Sequence, residues 1–139
     1  MMGAIELSFD RPITGKQLIK LMAQTTWGRQ RTVAELDCMI AGTTHTLGAW
    51  DGERLVGFLR ALSDGRFRSF IEDFVVDAPC RRRGIGSRMM TMMLERLSGV
   101  EDVYLFTGGD ALLEYYQSFG FIMTPFHSML RRPGERGGA

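Results

Sequence analysis

A basic turn with two glycines is the segment of this sequence whose residue types and spacing are best suited to chemistry. Arg81, Arg82 and Arg83 precede Gly84 and Gly86, and an apolar helical pattern follows at once. The first turn of a helix carries main-chain N–H groups without intrahelical partners and a partial positive charge, and glycine lets an anion approach that backbone closely. The segment therefore predicts a phosphate-binding turn.

The same glycines also have a purely structural interpretation, in which they permit a sharp turn between a strand and a helix while the arginines stay solvated. Two common nucleotide-binding motifs do not fit. A dinucleotide-binding fingerprint needs a third glycine where this chain has Met89, and the Gly-x-x-x-x-Gly-Lys-Ser/Thr sequence of a P-loop is absent. A phosphate bound here is therefore held by a turn of another kind.

The elements around this turn follow from apolar periodicity and turn signals. Helical spacing predicts two short helices between residues 14 and 41 and a longer, largely buried helix over residues 84–97. The Asp51-Gly52 and Asp64-Gly65 pairs separate extended apolar runs, which predicts three antiparallel strands in a meander. Shorter segments complete the pattern: strands at residues 4–9 and 103–106, a helix at 111–118, and final extended pieces at 121–123 and 129–130.

The resulting order, βααβββαβαβ, predicts an α/β (α+β) fold in which helices flank a mixed, mostly antiparallel sheet. The strand, helix and strand after the meander favour two neighbouring parallel strands joined by a crossover. The chain has 139 residues and can bury roughly two-thirds of the surface that its unfolded form exposes, so its core needs no metal or disulfide. We expect one domain over residues 1–130 and a flexible tail, rich in proline, glycine and charge, over residues 131–139.

Composition and charge argue against several classes of partner. The 17 basic and 16 acidic residues leave a formal net charge of +1, too small an excess for a protein whose main partner is nucleic acid. No segment reaches the about 20 apolar residues of a membrane-spanning helix, and the N-terminus lacks the pattern of a secretory signal. Cys38 and Cys80 lie far apart without metal-ligand spacing, so we expect neither a disulfide nor a metal site. The expected location is the cytoplasm.

Two motifs together resemble the GNAT acyltransferase superfamily. Arg81-x-x-Gly84-x-Gly86, between a Val-Val strand end and an apolar helix, resembles the superfamily's acyl-coenzyme-A-binding motif. The run Tyr115-Tyr116-Gln117-Ser118-Phe119-Gly120-Phe121 is similar to its Phe-Tyr-x-x-x-Gly-Phe signature. The resemblance covers residues 4–130. The chain departs from it at Arg82, where relatives usually have a small residue, and at Gly108-Gly109-Asp110, where an asparagine is common.

The resemblance implies acetyltransferase activity with acetyl-CoA as the acyl donor. Main-chain amides of the turn would hold the pyrophosphate of the coenzyme, and the end of the preceding strand would pair through its main chain with the pantetheine arm. Tyr116 matches the family's tyrosine near the thioester sulfur, where a phenol can donate a proton to the departing thiolate. The implied coenzyme-binding residues are Phe74, Val75, Val76, Arg81, Arg82, Arg83, Gly84, Ile85, Gly86 and Ser87.

The implied reaction also needs a base or a water chain, because an acceptor amine is protonated at neutral pH and must lose a proton before it attacks. Glu72 is the leading candidate, since partial burial would raise its pKa toward a useful value. Asp73 and a water chain are the alternatives. Strand alternation places Glu72 and Phe74 on one face and Asp73 and Val75 on the other. A main-chain N–H near Phe74 or Val75 would meet the charge that develops on the carbonyl oxygen.

The leading interpretation is an N-acetyltransferase acting on a primary amine of a small molecule or a protein, by direct attack in a ternary complex. A noncatalytic acyl-CoA-binding sensor or interaction module is the alternative. The segment Ile71-Glu72-Asp73-Phe74-Val75-Val76 also looks like that of glucosamine-6-phosphate N-acetyltransferases, which makes an amino-sugar phosphate a further candidate acceptor. Trp27, between the first two predicted helices, is a candidate to line the acceptor pocket. A homodimer is a further implication of the family likeness.

Overall fold

A sheet of five strands is the centre of the structure, a computed structural model that describes residues 3–134. The spatial order is β1-β2-β3-β4-β5, with antiparallel pairing from β1 to β4 and parallel pairing between β4 and β5. This arrangement confirms the predicted mixed, mostly antiparallel sheet. The strands are β1 (Ile5–Ser8), β2 (His45–Asp51), β3 (Arg54–Ser63), β4 (Arg68–Val76) and β5 (Asp102–Leu105).

The α-helices of the described residues are α1 (Gly15–Met22), α2 (Val33–Ala41), α3 (Ile85–Arg96) and α4 (Leu113–Gln117). Thr14 and Thr32 begin the first two helices with capping boxes. In each box the threonine hydroxyl accepts the N–H of the residue three positions on, whose own side chain accepts the N–H of the threonine. Even α3, with 12 residues the longest of these helices, is too short and too polar to cross a membrane.

The two Asp-Gly pairs form the turns of the β2–β3–β4 meander, as the sequence predicts. Gly52 has a φ of +60° and Gly65 a φ of +78°, left-handed values that glycine adopts without a steric penalty. The Asp64 carboxylate accepts three main-chain N–H groups of the residues that follow, at 2.8 to 3.1 Å. This turn chemistry fixes the register of β4, the strand that leads into the basic turn.

Helices pack on both faces of the sheet. On one face, buried residues of α1 and α2 form a cluster with Trp50, Phe58 and Val75. On the other face, α3 approaches so closely that a Cβ on Gly57 would lie 2.9 Å from the sulfur of Met89. Because Gly57 lacks a side chain, the flexible methionine fills the space over β3 and brings α3 against the sheet.

The chain divides into two compact units, the first ending at Phe106 and the second beginning at Thr107. The first contains the sheet and α1 to α3, and the second contains α4. The described residues of the second unit form no strand, so the last strand of the predicted order is wrong. The sequences at 121–123 and 129–130 are apolar, but a strand forms only where its main-chain groups pair with a neighbour. Residues 135–139 of the predicted flexible tail lie outside the described residues.

Candidate active site

A β-bulge interrupts β4 at Asp73 and Phe74. Arg60 of β3 pairs with Glu72, whereas Phe58 pairs with Val75, so a single β3 residue lies opposite two residues of β4. Asp73 has a φ of +55°, a left-handed value that is uncommon for any residue other than glycine.

The bulge changes which side chains share a face of the sheet. Directly paired residues of antiparallel strands point to the same face, as do residues two apart on one strand. Glu72 and Val75 therefore lie on the face that carries Phe58 and Arg60, the face covered by α1 and α2. The predicted alternation, with Glu72 and Val75 on opposite faces, is wrong because the bulge adds a residue between them.

Among the described residues, the ladder between β4 and β5 covers only the first half of β4. The parallel ladder runs from Arg68 opposite Asp102 to Ile71 opposite Leu105 and ends there. Over residues 72–76, β4 continues with β3 as its ladder partner. An open strand edge presents main-chain N–H and C=O groups that can pair with an added extended chain. These residues include Phe74, Val75 and Val76, which the family resemblance assigns to the pantetheine arm.

The turn after β4 is anchored by the side chain of Asp77. The Asp77 N–H donates to the carbonyl of Val56 at 2.8 Å. Its carboxylate accepts hydrogen bonds from Arg54 at 2.6 Å and from the side-chain amide of Gln24 at 2.7 Å. The Gln24 side chain in turn accepts the N–H of Ala78 at 3.0 Å. Contacts with α1's C-terminal end and with β3 therefore hold the start of the turn in place.

The rest of the turn adopts the conformation that an anion-binding helix N-terminus requires. Arg82 and Gly84 have φ values of +64° and +78°, and Gly84 immediately precedes α3 as its N-cap residue. Among the residues that the structure describes, no side chain caps this helix, and a Cβ on Gly84 would have no neighbour within 4 Å. Within residues 3–134, the first-turn N–H groups of α3 are thus left without a side-chain cap, as a phosphate-binding helix N-terminus requires, and the residues present fit the coenzyme's diphosphate.

Arg81 has a second role in this turn. Its Nε donates to the main-chain carbonyl of Val76 at 2.9 Å, which joins the start of the turn to the end of β4. Arg81 is therefore held beside the strand end, whereas Arg82 and Arg83 are exposed residues of the turn. The structure gathers the predicted residues 81–87 into one continuous loop and helix start.

Asp73 makes three side-chain contacts that use both of its carboxylate oxygens. One oxygen accepts the indole N–H of Trp27 at 2.9 Å. The other lies 2.6 Å from Nε of Arg60 and 3.0 Å from Arg31. The carboxylate is fully buried. A carboxylate committed to these partners is poorly placed to take a proton from an acceptor, which favours Glu72 over Asp73 as the base.

Glu72 is half-buried and has an altered acidity. Burial raises the pKa of Glu72 above its ordinary value of 4.5, and the neighbouring carboxylate of Asp73 raises it further. Arg60 and Arg31 act in the opposite direction. A carboxylate with a raised pKa holds a proton more strongly than an exposed glutamate, as a general base should.

Tyr116 is positioned by the end of α4 in the second unit. Gly120, with a φ of +94°, donates to the carbonyl of Gln117 at 2.9 Å, and Phe121 donates to the carbonyl of Tyr116 at 3.4 Å. These bonds form a Schellman helix end, and the Phe121 ring packs edge-on against the Tyr116 ring at 6.2 Å. Burial raises the pKa of Tyr116 above its usual range, so the phenol keeps its proton at neutral pH.

The structure adds residues that sequence reasoning did not identify. Arg60 is the main partner of Asp73 and lies opposite Glu72, and its sequence signal was a single charge within the apolar run of β3. Arg31 and Gln24 gave no such signal, because each reaches β4 or its turn from the segment between α1 and α2, which is distant in sequence. Across residues 3–134, no three His, Cys, Asp or Glu side chains are grouped so that they could hold a metal ion.

Comparison with known families identifies the family of the chain. The sequence model of the Acetyltransferase (GNAT) family matches residues 15–121, which include the β4 bulge, the basic turn and Tyr116. The chain therefore belongs to the GNAT family of acetyltransferases. An uncharacterized N-acetyltransferase of Porphyra purpurea, ycf52, is 35% identical over 74 residues, which represent 52% of this chain and 42% of that protein. The chain thus matches less than half the length of this relative.

Solved structures of related proteins share the fold. A GNAT family acetyltransferase of Streptococcus pneumoniae TIGR4 is 23% identical and superposes with a TM-score of 0.81, with coverage of 95% of this chain and 100% of that chain. A putative GNAT family acetyltransferase of Xanthomonas campestris pv. campestris is 23% identical with a TM-score of 0.80, over 96% and 97% of the two chains. A putative acetyltransferase of Deinococcus radiodurans R1 is 24% identical with a TM-score of 0.75, with coverage of 94% of this chain and 87% of that chain.

Proposed function

We propose that this protein is an acetyl-CoA-dependent N-acetyltransferase that acts on a primary amine of a small molecule or a protein, by direct attack in a ternary complex. One observation supports this most: the β4 edge over residues 72–76, which lies beyond the β5 ladder, leads through an anchored turn into the N-terminus of α3. A strand edge recognises an extended chain with amide groups, and a helix N-terminus recognises an anion. Coenzyme A joins both chemical groups in one molecule.

The residues of this chain bind and orient the coenzyme. The amides of residues 82–87 would hold the diphosphate, the guanidinium groups of the turn would add positive charge, and the main chain of residues 74–76 would pair with the pantetheine arm. When bound, acetyl-CoA supplies an acetyl group activated as a thioester. The bulge supports a further role for β4, because it frees main-chain groups at Phe74 from the regular ladder. An N–H of Phe74 or Val75 would stabilise negative charge on the carbonyl oxygen.

The proton transfers are assigned to two side chains. Glu72, whose pKa is raised, would in its ionised form accept the proton of the acceptor ammonium, either directly or through water. Tyr116, whose phenol is kept protonated by its raised pKa, would donate a proton to the departing sulfur. The proposed location of the enzyme is the cytoplasm, where its two free cysteines, Cys38 and Cys80, would stay reduced.

Release of free thiol from acetyl-CoA tests the proposed activity. We expect saturable, acceptor-dependent release with at least one class of a panel containing amino acids, polyamines, peptides with free N-termini and glucosamine 6-phosphate. Selective release with the last of these would support the amino-sugar phosphate as acceptor. If the protein binds coenzyme A yet releases no thiol with any amine, the enzyme assignment is contradicted and the acyl-CoA sensor is supported.

Gly84→Ala is expected to weaken coenzyme A binding by about tenfold, because a methyl group beside the first turn of α3 would occupy the space left for phosphate. Gly65→Ala is the matched control. Both glycines have a φ of +78°, and a Cβ added to either would have no neighbour within 4 Å, so both substitutions add a similar backbone strain of about 1–2 kcal/mol. Gly65 lies in the turn at the other end of β4.

Calorimetric titration with coenzyme A, together with thermal unfolding of both variants, separates the two effects. The expected result is a similar loss of stability in the two variants and a loss of affinity in Gly84→Ala alone. Equal affinities for both variants would show that the open space at Gly84 does not receive the phosphate.

A further inference from the structure

The loop between α1 and α2, residues 23–32, is tied to the bulge of β4 by a buried carboxylate. We propose that Asp73 is a positioning residue of the active site, which fixes this α1–α2 loop against β4 and holds Trp27 as an aromatic wall of the acceptor site beside Glu72. The inference rests on the proposed N-acetyltransferase function, and it adds the side chains that orient the acceptor.

The first support is the contrast between the two ends of the Trp27 side chain. The residue is 55% exposed, yet its indole N–H donates to the Asp73 carboxylate at 2.9 Å. An exposed tryptophan on a loop is normally free to change rotamer, but a hydrogen bond to a buried, charged acceptor restricts it. The indole therefore keeps one orientation while much of its surface stays accessible to a ligand.

The second support is that other contacts converge on the same carboxylate. Arg31, at the far end of the α1–α2 loop, lies 3.0 Å from the carboxylate oxygen that also contacts Arg60 at 2.6 Å. Arg60 donates further to the hydroxyl of Thr43, which follows α2, at 3.4 Å. Asp73 is thus the common partner of two loop residues and a neighbouring strand. Asp73 is also the residue of the bulge with the left-handed φ of +55°.

The α1–α2 loop is itself well ordered by local contacts. The Thr25 hydroxyl donates to the carbonyl of Met22 at 2.8 Å and accepts the N–H of Gly28 at 2.9 Å. A Cβ on Gly28 would lie 2.8 Å from the Met22 sulfur, so glycine allows the loop to fold closely over the end of α1. A rigid loop held at Trp27 and at Arg31 can act as a fixed wall.

The third support is the location of Glu72 in the same cluster of charges. Glu72 lies opposite Arg60 in the ladder, on the face covered by α1 and α2. The charged groups that influence it are Asp73 on its own strand, Arg60 on β3 and Arg31 on the loop. Removal of the Asp73 charge leaves both guanidinium groups facing Glu72 without their partner. Asp73 therefore affects both the orientation of Trp27 and the pKa of Glu72.

Asp73→Asn tests the inference through the pH profile of kcat/KM. The amide retains an oxygen for one donor but removes the charge, so the pKa of Glu72 should fall and the acid limb should move to lower pH by about one unit. A residue with a merely structural role would lower activity equally at every pH. An unmoved acid limb in Asp73→Asn would overturn the proposed link to Glu72.

Trp27→Phe provides a second variant, at an exposed position that does not threaten folding. It keeps an aromatic ring but loses the N–H donor, and we expect the acceptor KM to rise about five- to tenfold with the Kd of coenzyme A unchanged. Phe67→Leu is the matched control, because Phe67 is also 55% exposed and immediately precedes β4, at the end of the strand opposite the basic turn. An unchanged acceptor KM in Trp27→Phe, or an equal change in the control, would contradict the proposed role of Trp27 as a wall of the acceptor site.

The indole N–H resonances give a measurement independent of activity. The chain has two tryptophans, and the indole nitrogen of buried Trp50 has no hydrogen-bond partner among the described residues. Asp73→Asn should move the Trp27 resonance and leave that of Trp50 unchanged. An unmoved Trp27 resonance would overturn the tie to Asp73. If this resonance moves but the wild type transfers acetyl to no amine, the proposed function fails while the structural tie stands.

Discussion

Tyr116→Phe should lower kcat by about 10²–10⁴-fold, the usual contribution of a general acid, and should leave the affinity for coenzyme A nearly unchanged. The substitution removes only the hydroxyl. The phenylalanine ring can keep the edge-on contacts with Tyr115 at 5.4 Å and with Phe121 at 6.2 Å that hold this position in the second unit. Steady-state kinetics with a thiol-release readout and calorimetry with coenzyme A measure the two quantities.

Tyr115→Phe is the control for this prediction, since it deletes the same group from the adjacent residue. We expect a much smaller change in kcat for Tyr115→Phe. If kcat and coenzyme affinity fall together in Tyr116→Phe, the hydroxyl acts in binding and not in proton donation.

Glu72→Gln should lower kcat/KM at neutral pH by about 10²-fold or more, because the amide cannot accept a proton. The wild-type pH profile carries the second part of the prediction. Glu72 must be ionised to act, and burial raises its pKa above 4.5, so activity should decline as the pH falls through a value above 4.5. This acid limb should be missing from the residual activity of Glu72→Gln.

Glu101→Gln is a suitable control, because Glu101 is an exposed carboxylate whose partner, Arg68, lies at the far end of β4. It should retain both the wild-type rate and the acid limb. A Glu72→Gln variant that keeps the acid limb at its original pH would assign the base to a water chain or to another group.

The sequence predicts the fold and the backbone conformation of the basic turn because both depend on local chemistry. Thr14 and Thr32 form capping boxes with side chains three residues ahead, and the Asp-Gly pairs form the meander turns. Gly84 has the left-handed φ that its position between a strand and a helix indicates. Each of these features involves residues within a few positions of one another, so the pattern is visible in a single sequence.

The rest depends on contacts between distant residues. The bulge at Asp73 is set by the register of β3 against β4, and the residue type at that position does not predict a bulge. The ion pairs of Asp73 join residues from three elements, and the Trp27 contact spans 46 positions. The last predicted strand is wrong for the same reason, because apolar residues at 121–123 and 129–130 do not by themselves provide a partner strand.

Titration of the isotope-labelled protein with coenzyme A, followed by the main-chain amide resonances, is the most direct test that the start of α3 and the β4 edge form the coenzyme site. The largest changes should occur at the amides of residues 82–87, with a second group at residues 74–76. Gly65, which has the same φ as Gly84 but lies at the other end of β4, should not respond. Saturable binding that leaves the amides of residues 82–87 unchanged would contradict the assignment of this turn.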